Sequence, residues 1–240
     1  MRTVRRWVSS ALVMLALATL AVLGFGSAGR DGTSPPWAPL DLGAPIGPST
    51  GRQLARLGDT PAACRALDDA GIAYARLPAR RDGPSCGYAA AIRFARGGAQ
   101  TLAYRPAPPA LSCGVAAALA MWEWDVVQPA ALRYLRQPVV AIEHVDSYTC
   151  RRIGTGATWS EHASADAIDV TGFRLADGTR VTVLRDWSGA GAKAAFLKAV
   201  RDGACRLFAT TLSPAYNAAH RDHLHLDQAR RGATGGRACR

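Results

Sequence analysis

Two short segments hold four of the five histidines of this 240-residue chain, and their pattern constrains the fold more strongly than any other feature. The first spans residues 160–169 and the second residues 220–227. Alternate side chains of a β-strand share one face. The second segment, His-Arg-Asp-His-Leu-His-Leu-Asp, therefore turns two histidines and an aspartate to one face and two leucines to the other, and Asp169 likewise points away from Ile168 and Val170. The pattern predicts two strands of one sheet that gather polar side chains on a shared face.

The side chains expected on that polar face are of the types that bind a catalytic zinc ion. If both strands join one sheet, His162 at the entrance to the first strand converges with Asp169 and the histidines of the second segment. Two imidazoles and one carboxylate form a known zinc-binding set that leaves a fourth position for water. Zinc lowers the pKa of such a water toward about 7 and polarises a substrate carbonyl. The clustering alone leaves open a second interpretation, in which these are surface histidines on amphipathic strands.

The remaining pattern predicts an α+β fold, with a small antiparallel sheet that carries the site and packs against helices. The predicted helices are Thr60–Asp69, Ser112–Trp124, Pro129–Leu135 and Gly191–Arg201. The predicted strands are Val139–Val145, Ala167–Leu175, Arg180–Leu184 and His223–Asp227. Residues 176–178, Ala-Asp-Gly, form a predicted hairpin turn. Helices come mainly before strands, without βαβ alternation or a glycine-rich phosphate loop, which argues against a Rossmann-type fold.

The N-terminus indicates export. Three arginines precede Trp7–Phe25, an uncharged and mostly apolar run whose length falls between that of a signal-peptide core and that of a membrane span. The basic flank stays in the cytoplasm by the positive-inside rule, so the chain that follows crosses the membrane. We expect a signal peptide or membrane anchor at 1–30, a proline-rich linker at 31–50, the functional domain at 51–228 and a basic tail at 229–240. The domain is expected in the periplasm or cell envelope.

Six cysteines, at positions 64, 86, 113, 150, 205 and 239, fit an exported protein with disulfide bonds. None of them forms a Cys-x-x-Cys pair, which disfavours a cysteine zinc site and a thioredoxin-type redox motif. Six cysteines allow fifteen pairings, and their spacing does not select one. Buried free thiols, the usual state in the cytosol, remain the alternative.

The formal net charge of +11 suggests nucleic-acid binding until it is divided along the chain. Residues 51–228 hold 21 Lys and Arg against 16 Asp and Glu, while the rest of the chain holds 8 against 2. More than half of the excess therefore lies in the terminal segments. No zinc-finger spacing or aromatic RNA-binding motif accompanies the charge. We expect no nucleic-acid partner.

Several motifs together resemble known families. The first histidine segment, Ser-x-His-x-x-Ala-x-Ala-x-Asp, is similar to the SxHxxGxAxD signature of the D-alanyl-D-alanine metallopeptidases, which share a zinc site and fold core with lysostaphin-type peptidases and the hedgehog signalling domain. The second segment contains the HxH motif that closes that site. The stretch from about Cys64 to Asp227 resembles the bacterial extensin-like protein C-terminal domain family. Its further matching pieces are Leu111-Ser-Cys113, Trp122, Val127–Ala131, Ser147–Arg151, Asp186-Trp187, Ala204-Cys205, Tyr216-Asn217 and His220–Asp227.

The resemblance implies zinc bound by His162, Asp169 and His225. It leaves His223, the first histidine of the HxH motif, unligated beside the metal. Many relatives place a glutamate base in an ExxH motif before the last ligand, and this chain has none. His220 lies three residues before His223, as in the penicillin-insensitive murein endopeptidases, where HxxHxH replaces that glutamate. The implied proton carriers are therefore His223 and His220.

Arg151 matches an arginine that the family places after a strand upstream of the first ligand, where a guanidinium holds a substrate carboxylate or a developing oxyanion. Arg152 and a solvated surface role remain alternatives.

Glu161, next to a ligand, is an alternative general base, although neighbouring residues on an extended chain point apart. His144 lacks a partner motif and is interpreted as structural. Ala165 replaces the glycine of the motif, which is tolerated if its φ is negative.

The sequence thus predicts an exported, N-terminally membrane-associated α+β domain that resembles zinc metallopeptidases. The expected reaction is Zn²⁺-dependent hydrolysis of amide bonds in peptidoglycan peptides, because the resembling families use these substrates. A catalytically silent, zinc-stabilised module that binds the cell wall, as the hedgehog relatives illustrate, is the alternative.

Overall fold

The structure is a computed structural model, and it describes residues 14, 15, 19, 39–58, 60–230 and 236–240. The expected signal peptide or anchor lies outside the described residues except at three positions, and the first part of the expected linker lies outside them as well. Among the described residues, no helix has the length and apolar character of a membrane span.

Short strands and helices of varied length build the domain. The α-helices are α1 (Thr50–Leu57), α2 (Pro61–Asp69), α3 (Cys113–Trp122), α4 (Gln128–Ala130), α5 (Val183–Asp186) and α6 (Ala192–Leu207). The strands are β1 (Ile72–Leu77), β2 (Arg80–Arg81), β3 (Gly87–Tyr88), β4 (Ala91–Gly98), β5 (Ala103–Arg105), β6 (Val139–Asp146), β7 (Ala167–Leu175), β8 (Arg180–Thr182), β9 (Thr210–Leu212), β10 (Leu224–Asp227) and β11 (Ala238–Cys239). The π-helical segments Glu123–Val127 and Ala131–Leu135 flank α4 and continue α3. The 3₁₀ turns Glu161–Ser164 and Ala218–His220 each carry a histidine.

Seven of the described strands form one mixed sheet, in the order β11-β9-β10-β7-β6-β5, with β8 added to β7. β7 pairs antiparallel with β6, β8 and β10, and β10 pairs antiparallel with β9. The pairs at the two ends, β5–β6 and β9–β11, are parallel. The α+β class is therefore confirmed, but the expected antiparallel sheet is mixed. Residues 113–135 cross over between β5 and β6 as a helix, and such a crossover returns the chain in the same direction.

Helix α3 lies at the centre of the hydrophobic core. All of its residues are buried, as suits an alanine-rich helix without charges. Ser112 caps its N-terminus by accepting a hydrogen bond from a first-turn backbone N–H at 3.1 Å. Trp122 at its other end donates from Nε1 to the carbonyl of Val200 in α6 at 2.8 Å. Phe173 of β7 contacts both Trp122 and Phe196 of α6, so the two helices pack against the sheet.

Strands β1 to β5 precede α3, and their positions were not predicted from the sequence. β1 and β4 form a separate antiparallel pair, and β2 and β3 form another. Alanine, glycine and arginine occupy many of their positions, so the apolar alternation is weak. Strands of two or three residues also carry too few side chains for a period to be recognised.

All six cysteines form disulfide bonds, which confirms that prediction. The pairs are Cys64–Cys113, Cys86–Cys150 and Cys205–Cys239. The first joins α2 to α3, and the third joins α6 to β11. Disulfides form and persist in oxidising compartments, so the three bonds indicate an exported protein.

Both ends of the described domain pack against it. Leu42, within the expected linker, is buried. The carbonyl of Ile46 accepts a hydrogen bond from Nη2 of Arg206 in α6 at 2.6 Å. In the expected tail, β11 pairs with β9 as part of the main sheet. The packed unit therefore extends beyond residues 51–228 at both ends.

Candidate metal centre

Strands β7 and β10 lie side by side within the sheet. Their antiparallel register sets His225 directly opposite Asp169, and Leu226 opposite Ile168. Ile168 and Leu226 are fully buried in the core, so the alternation directs Asp169 and His225 to the other face. His223 lies one residue before β10.

His162 reaches the same group of side chains from the 3₁₀ turn Glu161–Ser164. Ser160 caps this turn and accepts a hydrogen bond from the His162 N–H at 3.4 Å. Ala165 then adopts a left-handed conformation with φ of 58°, and its carbonyl accepts from the Ser112 N–H at 2.8 Å. The condition of a negative φ, under which alanine would replace the motif's glycine without strain, is not met, because the chain reverses sharply between the turn and β7. For a residue with a Cβ this conformation costs about 1–2 kcal/mol.

Three side chains converge in a compact group, those of His162, Asp169 and His225. Their candidate ligand atoms all lie within 4.8 Å of one another. Oδ1 of Asp169 lies 3.3 Å from Nε2 of His162 and 2.9 Å from Nδ1 of His225, and the two ring nitrogens lie 3.2 Å apart. The side chain of His162 is 0% exposed and that of Asp169 is 6% exposed. The structure thus brings together the three residues that the resemblance implies as ligands.

Outer hydrogen bonds orient both imidazoles toward the centre of this group. Nδ1 of His162 lies 2.8 Å from the carbonyl oxygen of Ser147, and Nε2 of His225 lies 2.9 Å from Oδ2 of Asp227. A carbonyl and a carboxylate only accept hydrogen bonds, so these ring nitrogens carry the protons. The other nitrogen of each ring faces Asp169, where a bound cation would take the place of the proton that these contacts share. Two oriented imidazoles and a carboxylate are a donor set that fits Zn²⁺.

The electrostatics of the group favour a positive charge at its centre. Burial disfavours the charged form of Asp169, but hydrogen bonds from His162 and His225 outweigh burial and hold its pKa well below the usual range. Burial also lowers the pKa of His225, yet its bonds to Asp169 and Asp227 raise that pKa to about 9. A proton between these side chains therefore supplies the charge that a divalent cation would supply instead.

His223 and His220 extend the cluster beyond the three candidate ligands. Nε2 of His223 lies 3.6 Å from Oδ1 of Asp169, and its Nδ1 lies 2.9 Å from Oδ1 of Asp222. The ring centroids of His220 and His223 are 5.2 Å apart, and Nδ1 of His220 lies 2.7 Å from Oδ1 of Asn217. Burial and the charge of nearby His223 lower the pKa of His220 to about 4, so this imidazole is neutral at pH 7.

Arg151 lies at the edge of the group, whereas Arg152 makes other contacts. Nη2 of Arg151 lies 3.9 Å from Oδ2 of Asp169, and its Nε lies 3.8 Å from Oδ2 of Asp146. Its side chain is 44% exposed, so the guanidinium is accessible from solvent. The guanidinium of Arg152 stacks 4.5 Å from the ring centroid of Trp159. Of the two arginines, Arg151 therefore has the position to contact a ligand at the metal centre.

Glu161 and His144 were also considered as site residues from the sequence, and their surroundings differ from those of the three candidate ligands. Burial, with smaller contributions from the charges of Glu161 and Asp227, raises the pKa of Asp166 to about 7. The Ser112 hydroxyl donates to that carboxyl at 2.5 Å. Nε2 of His144 lies 2.9 Å from the carbonyl oxygen of Ala107, a loop contact that agrees with a structural role.

The residues that orient the histidines were missed from the sequence. Asp227 shares a strand face with His225, so the alternation contained the signal for this contact. Asp222 and Asn217 lie one and three positions before the histidines they hold, and short polar side chains so close in sequence are also a usable signal. Ser147 contributes its main-chain carbonyl to His162, and any residue type carries that group.

Comparisons with known proteins identify one family. No curated protein and no solved structure matches the chain. A family model described as Extensin-like protein C-terminus matches residues 62–240, which include every residue of the candidate metal centre. The chain therefore belongs to the extensin-like protein C-terminus family.

Proposed function

We propose that this domain uses a bound Zn²⁺ to hydrolyse amide bonds in peptidoglycan peptides. The observation that carries the proposal is the convergence of His162, Asp169 and His225, with both imidazoles oriented by outer acceptors. Structural zinc sites usually have four protein ligands, whereas three protein ligands leave one position open for chemistry. The resemblance of the two histidine motifs to those of the D-alanyl-D-alanine metallopeptidases supports the choice of reaction and substrate.

The chain's own residues hold and orient the ion. Zn²⁺ would supply a Lewis acid for the substrate carbonyl and would lower the pKa of a nearby water toward about 7. Asp169 contributes negative charge, while Ser147 and Asp227 fix the two imidazoles. Outer hydrogen bonds of this kind typically change metal affinity or activity by about 10–100-fold.

We assign the proton transfer to His223. Its Nδ1 donates to Asp222, so its Nε2 carries a lone pair close to Asp169. Nε2 accepts a proton from the attacking water and returns it to the leaving nitrogen, and Asp222 stabilises the imidazolium between these steps. The neutral imidazole of His220, held by Asn217, is the second proton carrier.

Arg151 is assigned to the substrate. A guanidinium pairs with a carboxylate through two parallel hydrogen bonds, and cell-wall peptides carry such carboxylates. Asp146 and Asp169 lie 3.8 and 3.9 Å from this guanidinium and keep it near the metal centre. Because the contacts are longer than hydrogen bonds, its donors remain available to a ligand.

The test uses the purified protein and isolated peptidoglycan. We expect elemental analysis to find close to one zinc per chain and chromatography to find released or shortened muropeptides. A chelator should stop the release, and added Zn²⁺ should restore it. His225→Ala should lose both zinc and activity, whereas the matched control His144→Ala changes a histidine outside the metal centre and should keep both.

The outcomes separate two candidate functions. Stoichiometric zinc without cleavage would indicate a zinc-stabilised module that binds the cell wall, and sedimentation with peptidoglycan would then measure that binding. Zinc content that stays unchanged in both His162→Ala and His225→Ala would contradict the assigned ligands and both functions.

A further inference from the structure

A groove outside the metal centre combines an apolar floor, unused polar groups and an open strand edge. Its volume is about 770 Å³, and it is lined by residues 94–98 and 100–108 from β4, β5 and the adjoining loops. Ligand sites commonly have volumes of about 300–1,000 Å³. In the sheet, β6 separates β5 from β7, so the groove is distinct from the candidate metal centre.

Two stacked aromatic rings form the floor of the groove. The ring centroids of Phe94 and Tyr104 are 5.4 Å apart, with an angle of 24° between the ring planes. Both residues are 5% exposed. Pro106 and Pro108 add apolar surface to the wall. The floor is therefore rigid and apolar, which suits burial of part of a ligand.

The hydroxyl of Tyr104 has no hydrogen-bond partner among the described residues. The neighbouring polar side chains are engaged, because the Gln100 amide donates to the Leu102 carbonyl at 2.9 Å and the Thr101 hydroxyl donates to Oε1 of Glu123 at 2.6 Å. Burial and the charge of Glu123 raise the pKa of Tyr104 well above its usual value, so the hydroxyl stays protonated. The groove thus contains a donor that a ligand can satisfy.

The rim of the groove is positively charged. Arg96 and Arg105 line it and are exposed, and neither forms an ion pair within the part of the chain that the structure describes. The described residues that line the groove include no Asp or Glu, and Glu123 lies behind Thr101. Unpaired guanidinium groups favour an anionic ligand, and their planar donors match carboxylates.

The open edge of β5 favours a peptide over other anions. β5 pairs with β6 on one side, and no described strand pairs with its other side. An extended peptide satisfies such an edge with its own backbone groups. Because β5 is only three residues long, the backbone contacts are few, and the arginines must contribute much of the affinity.

We propose that this groove binds an extended acidic peptide segment. The peptide backbone lies beside β5, its carboxylates pair with Arg96 and Arg105, and one acceptor binds the Tyr104 hydroxyl. This binding site does not depend on the metal centre or on the proposed hydrolysis.

Fluorescence anisotropy with two labelled peptides tests the proposal. One peptide alternates Glu and Val over six residues, and the other has Gln in place of each Glu. We expect the purified protein to bind the Glu peptide about tenfold more tightly, and salt to weaken that binding. Combined Arg96→Ala and Arg105→Ala should remove the preference. Tyr104→Phe keeps the stacked ring and should weaken binding about threefold or more.

Two controls distinguish this site from the rest of the molecule. Arg93→Ala removes an exposed arginine of β4 that does not line the groove, and it should leave the affinity unchanged. His225→Ala should also leave it unchanged, which separates the groove from the proposed hydrolase function. Equal affinity for the two peptides, unchanged affinity in the double arginine variant, or no measurable binding up to millimolar peptide would overturn the proposal.

Discussion

His223 is the side chain through which we expect the metal centre to move protons. We expect His223→Ala to keep close to one zinc per chain and to lose about 10²-fold or more of its turnover, because a placed proton carrier contributes about 10²–10⁴-fold. Rates of muropeptide release, with elemental analysis of the same sample, measure both quantities. His220→Ala should lose a similar or smaller factor, and Glu161→Gln much less. A large loss in Glu161→Gln beside an active His223→Ala would assign the base role to Glu161.

His225 makes the metal-free protein sensitive to pH. Its folded pKa of about 9 lies above the unfolded value of about 6.5, so the stabilisation it provides is complete below pH 6.5 and is lost as the pH rises through 9. When a chelator keeps the protein free of metal, we expect the free energy of unfolding to fall by about 3 kcal/mol at most between these pH values. Thermal unfolding at a series of pH values measures this change.

Two controls accompany this titration. Zinc-loaded protein should show a smaller fall, because the cation takes the place of the proton. His225→Gln removes this titrating group and should show a clearly smaller fall over the same range, with a remainder of about 1 kcal/mol from Asp166, whose pKa is raised to about 7. A melting temperature of the chelated wild type that rises from pH 6.5 to 9 would contradict the assigned direction.

Single residues also show where sequence reasoning reaches its limit. The clustered histidines on alternating strands predicted a shared polar face, and the resemblance to metallopeptidase motifs then implied His162, Asp169 and His225 within it. The left-handed backbone of Ala165 could not be predicted. The chain reversal between the 3₁₀ turn and β7 imposes this conformation, whereas the local preference of alanine opposes it. The contact of the Ser147 carbonyl with His162 could not be predicted either, because every residue has a carbonyl and only the path of the folded chain brings this one to the histidine.

At the scale of elements, α6 and the π-helical segment Glu123–Val127 approach each other closely at Gly203. A Cβ at this position would lie 2.2 Å from Cγ1 of Val126. Alanine in place of glycine usually stabilises a helix interior by about 1 kcal/mol. Here we expect Gly203→Ala to lower the free energy of unfolding by about 1–3 kcal/mol, because overpacking outweighs helix propensity. Urea denaturation measures the sign and size of the change.

The double variant isolates the cause of that effect. In a Val126→Ala background the clashing methyl groups are gone, so Gly203→Ala should be at least about 1 kcal/mol less destabilising than in the wild type. A stabilised Gly203→Ala protein in the wild-type background would show that the two helical segments separate at little cost.

The elements themselves were predictable where their pattern is long and local. The bounds of β7 agree with its prediction, and α2 and α3 begin within one residue of their predicted starts at Thr60 and Ser112. β5 was not predictable, because it has three residues and pairs with β6 across an intervening helix. The π-helical segments flank Pro129, whose missing N–H interrupts the regular helical bonding, and their extent carries no sequence signal of its own.

At the scale of the whole molecule, disulfides and core share the stabilisation. We expect Cys64→Ala with Cys113→Ala to lower the free energy of unfolding by about 4 kcal/mol, because this bond closes a loop with a sequence separation of 49 residues. Chemical denaturation of the oxidised variant measures the loss. We also expect the zinc content per folded chain to stay the same, since neither cysteine belongs to the candidate metal centre. An unchanged denaturation midpoint would show that the unfolded chain is already restricted at this position.

The three disulfides also divide the covalent chain into two closed units with a bridge between them. Cys64–Cys113 and Cys86–Cys150 overlap in sequence, and Cys205–Cys239 closes the second unit. Residues 151–204 carry no cross-link and include His162 and Asp169, so a single proteolytic nick in the exposed stretch 152–158 would leave two polypeptides without a covalent connection. Such a nicked protein would stay assembled through non-covalent contacts, chiefly the β6–β7 pairing and the core, and denaturation without any reductant would separate its halves.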